Sequence, residues 1–131
     1  VIVLDTHALI WWVSGDKRFS RKAKAAVSRE HPRGHIHVSA ISLWEIAMLA
    51  EHGRLTLTME MDEWLSAVQS IASVSLIPVT PKLALQAVRL PGEFHKDPAD
   101  RMIVALAREE NAVLVTADDK IQRYPHVRCI W

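Results

Sequence analysis

Five short apolar runs recur along this chain, separated by segments of helical periodicity, and that alternation limits the folds open to it. The runs are Val1 to Leu4, Ile36-His37-Val38, Val74 to Val79, Ala112 to Val115 and Val127 to Ile130. A continuous apolar run of strand length suits a strand covered on both faces, the usual condition of a parallel sheet. The segments Ala8 to Val13, Ser20 to Arg29, Ile41 to His52, Met61 to Ala72, Lys82 to Leu90 and Ala99 to Glu110 read as helices. In the fourth of these, Met61, Trp64, Leu65, Val68 and Ile71 form a one-faced stripe. Ser20, Thr80-Pro81 and Asp97-Pro98 are helix starts, and Gly53 marks a helix end. The expected fold is a three-layer α/β domain, a parallel sheet with helices on both faces.

No repeat, low-complexity stretch or linker divides the sequence, so residues 1–131 are expected to form a single domain. With 131 residues, 50% of them hydrophobic, the chain buries enough surface to fold without disulfide or structural zinc. The single cysteine, Cys129, can make neither an internal bridge nor a cysteine-based zinc site, which suits a reducing compartment. No basic leader and no apolar run of membrane-spanning length is present, so the expectation is a cytoplasmic protein with no membrane partner. Because the chain opens on Val1 rather than Met, the natural start is expected to be trimmed.

The formal charge of +1 hides a division. Between Lys17 and Arg33 stand Lys17, Arg18, Arg21, Lys22, Lys24, Arg29 and Arg33 against the single acid Glu30, a local charge of +6, and the remainder carries −5. Many of its acids fall where ligands bind in an open parallel sheet, beyond the carboxyl ends of the strands. Asp5 follows the first strand, Glu45 lies in the helix after the second, Asp97 and Asp100 open the helix before the fourth, and Asp118 and Asp119 follow that strand.

Each acid has a structural explanation. Asp5, Asp97 and Asp118 can cap helices, Asp100 suits a helix first turn, and Ser42-x-x-Glu45 fits a capping box. Glu45 nonetheless falls within the stripe Ile41, Trp44, Met48 and Leu49, where an unpaired charge costs several kcal/mol. Carboxylates crowded at one sheet edge repel by up to about 4 kcal/mol per pair at ~4 Å with an effective dielectric near 20. A divalent cation removes that repulsion. All-oxygen ligands select Mg2+ or Mn2+ over zinc, and one or two such ions activate water and neutralise phosphodiester charge. The histidines form no ligand pattern: His35 and His37 alternate on a strand, His31, His52 and His126 lie near loops or ends, and His7 and His95 read as packing or hydrogen-bonding residues. Ser39, Ser42 and Thr116 read first as caps, and their hydroxyls also suit a second role in holding metal-bound water.

Four stretches in order carry a resemblance: Leu4-Asp5-Thr6-His7-Ala8-Leu9-Ile10-Trp11-Trp12, Ser39-Ala40-Ile41-Ser42-Leu43-Trp44-Glu45-Ile46, His95-Lys96-Asp97-Pro98-Ala99-Asp100-Arg101-Met102-Ile103 and Leu114-Val115-Thr116-Ala117-Asp118. Through them nearly the whole chain resembles the PIN-domain ribonucleases, and within those the VapC-type toxins of bacterial toxin–antitoxin pairs. The resemblance implies strand order 3-2-1-4-5 and a Mg2+- or Mn2+-dependent endoribonuclease that leaves a 3′-hydroxyl and a 5′-phosphate. It implies metal-binding and catalytic roles for Asp5, Glu45, Asp100 and Asp118, with Asp97, Thr116, Ser42 and Thr6 as accessory residues. At Asp118-Asp119 the T-x-D spacing favours Asp118, and a shifted loop would favour Asp119. It also implies a homodimer, and a heterotetramer or larger assembly with a VapB-type antitoxin whose segment lies in a groove and points a basic residue at the acids. The Trp11, Trp12 and Trp44 helices, apolar nearly all round, could supply such surface beyond the needs of one small core. Which RNA is cut is not legible.

Two other readings compete: a phosphatase of the haloacid-dehalogenase class, which needs a second acid where His7 stands, and a catalytically silent interaction module. The basic stretch is read either as an RNA-backbone grip through Arg18, Arg21, Lys22 and Lys24 or as a solvated helix, since Arg21, Lys22 and Lys24 do not share one face. If it grips RNA, replacing Arg21, Lys22 and Lys24 by Ala lowers the slope of log affinity against log salt by about 0.7 for each phosphate no longer neutralised. Titration of labelled RNA at several salt concentrations measures this, and an unchanged slope assigns the stretch to solvent.

Overall fold

The computed structural model describes residues 1–131. The elements run β1 (Ile2–Leu4), α1 (Thr6–Ser14), α2 (Arg21–Glu30), one 3-10 turn at His31–Arg33, β2 (Ile36–Ser39), α3 (Ala40–Glu51), α4 (Met61–Gln69), β3 (Val74–Ile77), α5 (Pro81–Val88), α6 (Pro98–Glu109), β4 (Val113–Val115), α7 (Asp119–Gln122) and β5 (Cys129–Ile130). The five strands form one sheet in the order β3-β2-β1-β4-β5, and every pairing is parallel. This is the fold class and strand order expected.

Alternation along the strands distributes the core between the two faces of the sheet. Ile2 and Leu4 of β1 pack with Ile36 and Val38 of β2 against Leu9, Ala23, Val27, Trp64 and Val68 from α1, α2 and α4. Val3, one residue out of phase, joins Leu114 of β4 against Leu83, Ile103, Leu106 and Ile121 from α5, α6 and α7. The α4 stripe behaves as its spacing predicts: Trp64 and Val68 are buried, with Met61 and Leu65 half-buried beside them.

Caps set the boundaries. Asp5 starts α1 by accepting from the Ala8 N–H at 2.9 Å, which brings the helix start forward to Thr6. Gly53 takes φ +68 just past the α3 C-cap His52, a left-handed turn that an L side chain rarely adopts. The α4 helix stops at Gln69 instead of reaching Ala72, because the Ser70 hydroxyl donates to the Ala67 carbonyl at 2.7 Å and competes for the last turn.

Two expectations about α3 fail. Ser39, not Ser42, is its N-cap, accepting from the Ile41 N–H at 3.2 Å, so Ser42-x-x-Glu45 is no capping box and Glu45 lies mid-helix. The side of α3 buried in the monomer carries Ser42 and Ile46. Trp44 is 56% exposed, with Ile41, Met48 and Leu49 half-buried, so Glu45 borders the core and does not sit within a sealed apolar stripe.

One residue that sequence reasoning passed over holds the irregular segment before α6. The Arg101 guanidinium donates to the Ala87 and Val88 carbonyls at the end of α5, at 2.8 and 3.2 Å, and to the Phe94 and His95 carbonyls at 2.9 and 3.1 Å. A helix C-terminus needs partners for its last carbonyls, and here one planar side chain serves both the helix and the loop. Arg101→Ala is expected to cost about 2–4 kcal/mol in urea denaturation. Arg101→Lys should recover only a minor part, since a compact ammonium cannot reproduce the planar fork that serves four carbonyls.

Candidate active site

The carboxyl ends of β1 and β4 and the starts of α3 and α6 meet at one cleft of about 460 Å3, and Asp5, Glu45, Asp97, Asp100 and Asp118 all line it. Asp5 forms its floor, 7% exposed. One of its oxygens accepts from the Ala8 N–H at 2.9 Å and the other from the Thr116 hydroxyl. Thr116 follows β4 and in turn accepts the Asp118 N–H at 3.0 Å. A single hydroxyl thus ties Asp5 to the loop that carries Asp118.

Glu45 reaches the cleft from the second turn of α3 and accepts from the Thr6 hydroxyl. Thr6 and Ser42 oxygens are 3.0 Å apart. A hydroxyl has one proton to give, so once Thr6 donates to Glu45 it is Ser42 that donates to Thr6. Asp97 caps α6 by accepting from the Asp100 N–H at 3.0 Å. Asp118 caps α7 by accepting from the Lys120 N–H at 2.8 Å. The capping roles of Asp5, Asp97 and Asp118 are therefore real, and each still leaves carboxylate surface facing the cleft.

Asp119 is mostly exposed and pairs with Arg123 at 2.9 Å, so Asp118 is the acid of this pair that faces the cleft. His95 Nε2 stands 3.0 Å from Asp100 Oδ2, out of line for a hydrogen bond. His7 is exposed against the Trp11 ring at 5.7 Å, and both His7 and Trp11 line the cleft. No second acid stands two residues after Asp5, where His7 is found, so the requirement of the phosphatase reading is not met.

Residues 2–127 match the PIN domain family. The chain belongs to the PIN-domain family. It is 39% identical over 127 residues to Ribonuclease VapC22 of Mycobacterium tuberculosis, covering 97% of this chain and 94% of that protein, and it stands with the VapC-type members. Its fold is shared with VapBC2 from Rickettsia felis bound to a promoter DNA fragment, with TM-score 0.70, 19% identity and coverage of 98% of this chain and 96% of that one. FitAcB from Neisseria gonorrhoeae aligns with TM-score 0.68, 18% identity and coverage of 100% and 97%.

The electrostatics of this PIN-domain cleft are one-sided, since Lys120 is the one lysine or arginine on its wall. Asp5 is pushed up to about 6, chiefly by burial. Hydrogen bonds from Thr116 and Ala8 and the nearby His7 oppose that rise, and Asp118 adds to it. Asp100 is pushed up to about 7 by burial first and then by the charges of Asp97, Asp118, Glu45 and Asp5. No three acid, histidine or cysteine side chains close on a common point, which fits like charges that repel. The all-oxygen donor set nonetheless suits a hard cation, and Mg2+ in particular needs only one or two direct carboxylates because it keeps much of its water.

Arg18, Arg21, Lys22 and Lys24 do not line the cleft. Arg21, Lys22 and Lys24 are exposed on α2. Arg18 is held by Asp16 at 2.8 Å and lies over the Trp11 ring at 4.8 Å. Lys120 was passed over, and its one signal in the sequence is its place two residues after Asp118.

The raised carboxyls make stability fall with pH. An Asp5 carboxyl in the unfolded chain ionises near its ordinary value of 3.8, and in the native protein near 6, so the native state binds the extra proton between them. Without divalent cations, stability is greatest below about pH 4 with respect to this group and falls by roughly 3 kcal/mol as pH rises through 6. Asp100 contributes with the same sign. Urea midpoints measured in chelator across that range should decline less steeply for Asp5→Asn than for the wild-type chain.

Proposed function

We propose that this chain is a Mg2+- or Mn2+-dependent endoribonuclease, one PIN domain acting as the toxin of a VapBC-type pair. The carrying observation is the convergence of five carboxylates from four segments on one cleft, in a member of a family whose relative is named a ribonuclease. Asp5, Glu45, Asp100 and Asp118 would hold one or two ions. When bound, the ion supplies an activated water and neutralises charge on the phosphodiester.

The rest of the chemistry belongs to the chain. Asp5 fixes the floor of the site, and Thr116 holds its carboxylate at a set orientation relative to Asp118. The Ser42 to Thr6 to Glu45 relay does the same for the acid of α3. Asp97 orders the first turn of α6, which carries Asp100. In-line attack of water on phosphorus then breaks the bond to the 3′-oxygen, leaving a 3′-hydroxyl and a 5′-phosphate.

The proposed partner is a VapB-type antitoxin, supported by the toxin–antitoxin complexes among its structural neighbours, including one from Klebsiella pneumoniae. The exposed Trp44 and the half-buried apolar residues around it on α3 would serve such an assembly or a homodimer. The proposed place of action is the cytoplasm; no helix is long and apolar enough to cross a membrane.

Asp5→Asn and Asp100→Asn are expected to abolish Mg2+-dependent cleavage of total RNA while keeping the fold. Thr116→Val, which keeps the ligand and removes its support, should lower cleavage by about 10–100-fold. Sequencing 5′-phosphate ends from wild type and variants checks both, and undiminished cleavage by purified Asp5→Asn would defeat the assignment.

A further inference from the structure

The acid cleft continues past the carboxylates. On the α7 side a second cavity of about 220 Å3 lies next to it, and the two share His95 and Lys120 as wall residues. Arg123 lines the outer cavity with Phe94 and one acid, Glu93, so that its two cations outnumber its carboxylate. Lys120 makes none of the molecule's ion pairs, although two aspartates precede it. The Arg123 pair with Asp119 has both side chains more than 70% exposed, at 72% and 76%. Such a pair contributes little and exchanges readily for another anion.

Lys120 and Arg123 stand three residues apart, the spacing of side chains on one helical face. Their short helix is anchored from below. Asp118 caps it, the Gln122 amide donates to the Thr116 carbonyl at 2.9 Å, and Ile121 is fully buried. Thr116 is also the residue that holds Asp5. The two cations are thus registered to the carboxylates through one short, rigid connection.

The opposite side of the cleft has different chemistry. Beyond His7 and Trp11 it leads to a groove in which eight of fifteen lining residues are hydrophobic; of its two arginines, Arg18 is already held by Asp16 at 2.8 Å, which leaves Arg54 as the one unpaired cation there. The basic residues Arg21, Lys22 and Lys24 line neither cavity. Asp5 lies on the cleft floor, so a scissile phosphate has to enter the cleft, which a flexible single strand does more readily than a stiff duplex.

We infer that Lys120 and Arg123 form a phosphate-binding subsite for the nucleotides flanking the scissile bond, so that the RNA leaves the cleft along the β4–α7 side. This rests on the ribonuclease reading above. Both residues bind and position; neither takes part in bond breaking.

The test measures binding of a labelled single-stranded RNA of mixed sequence to the full chain, disabled by Asp100→Asn, in Mg2+ at several salt concentrations. Adding Lys120→Ala and Arg123→Ala should lower the slope of log affinity against log salt by about 1.4, or 0.7 per phosphate. With Asp100 intact, the same pair of changes should raise KM about tenfold and leave kcat within a factor of about two, since these side chains supply binding common to ground and transition states. Lys120→Arg should keep the slope, and Lys82→Ala, outside both cavities, should not move it. An unchanged slope alongside normal cleavage overturns the subsite and leaves the ribonuclease reading standing. A lowered slope in a chain that cleaves no RNA does the reverse. Competition by polyglutamate equal to that by RNA, or no binding at all, overturns the subsite.

Discussion

Mutual repulsion among the carboxylates at the end of the sheet is the constraint on which the rest of this structure depends. Five of them share a cleft with one lysine, and burial first, with the charges of neighbouring acids added to it, keeps Asp5 and Asp100 protonated to about pH 6 and 7. A chain free to relax would spread these groups into water. Here Asp5 cannot move, because the Ala8 N–H and the Thr116 hydroxyl grip its two oxygens. Glu45 is held through Thr6, and Asp97 and Asp118 are fixed by the helices they cap. The fold supplies in backbone N–H groups and hydroxyls part of the stabilisation that a cation completes.

The topology explains why these groups meet at all. With β1 at the centre of the order β3-β2-β1-β4-β5, the connections diverge on either side of it, and a crevice opens at the carboxyl ends where they part. β1 contributes Asp5 to the floor. The helix after β2 supplies Glu45 from one side, and α6 and the loop after β4 supply Asp100 and Asp118 from the other. Arg101 sits beside Asp100 and holds the end of α5 to the loop before α6, so the wall that carries His95 and Asp97 is fastened to the scaffold. Caps and site coincide because a helix start offers both a need for an anion and a fixed position for it.

The sequence was legible where local physics decides. Apolar runs located all five strands, the stripe from Met61 predicted the buried face of α4, and strand-terminal aspartates pointed to the sheet edge. Glu45 was singled out for a reason that does not hold: its helix neighbours Trp44, Met48 and Leu49 are partly or largely exposed, and the acid is notable instead for its bond to Thr6. The capping box at Ser42 looked equally sound and fails because Ser39, three residues earlier, starts the helix. The charge run from Lys17 to Arg33 drew attention by density, whereas the cation on the cleft wall is Lys120, isolated in sequence among aspartates.

By itself the sequence determined the alternation of strands and helices, the helix caps and the set of acids at strand ends, since each depends on residues within a few positions of one another. The tertiary structure decided which side of α3 is buried, that Asp118 and not Asp119 faces the cleft, and that Thr116 links Asp5 to the α7 loop across 111 positions. It also decided that Lys120 and Arg123 flank the carboxylates while the basic stretch on α2 stays in solvent. These depend on distances between segments far apart in the chain. No local propensity or charge count encodes them, because strand order and helix packing alone set which side chains share a dielectric and a cleft.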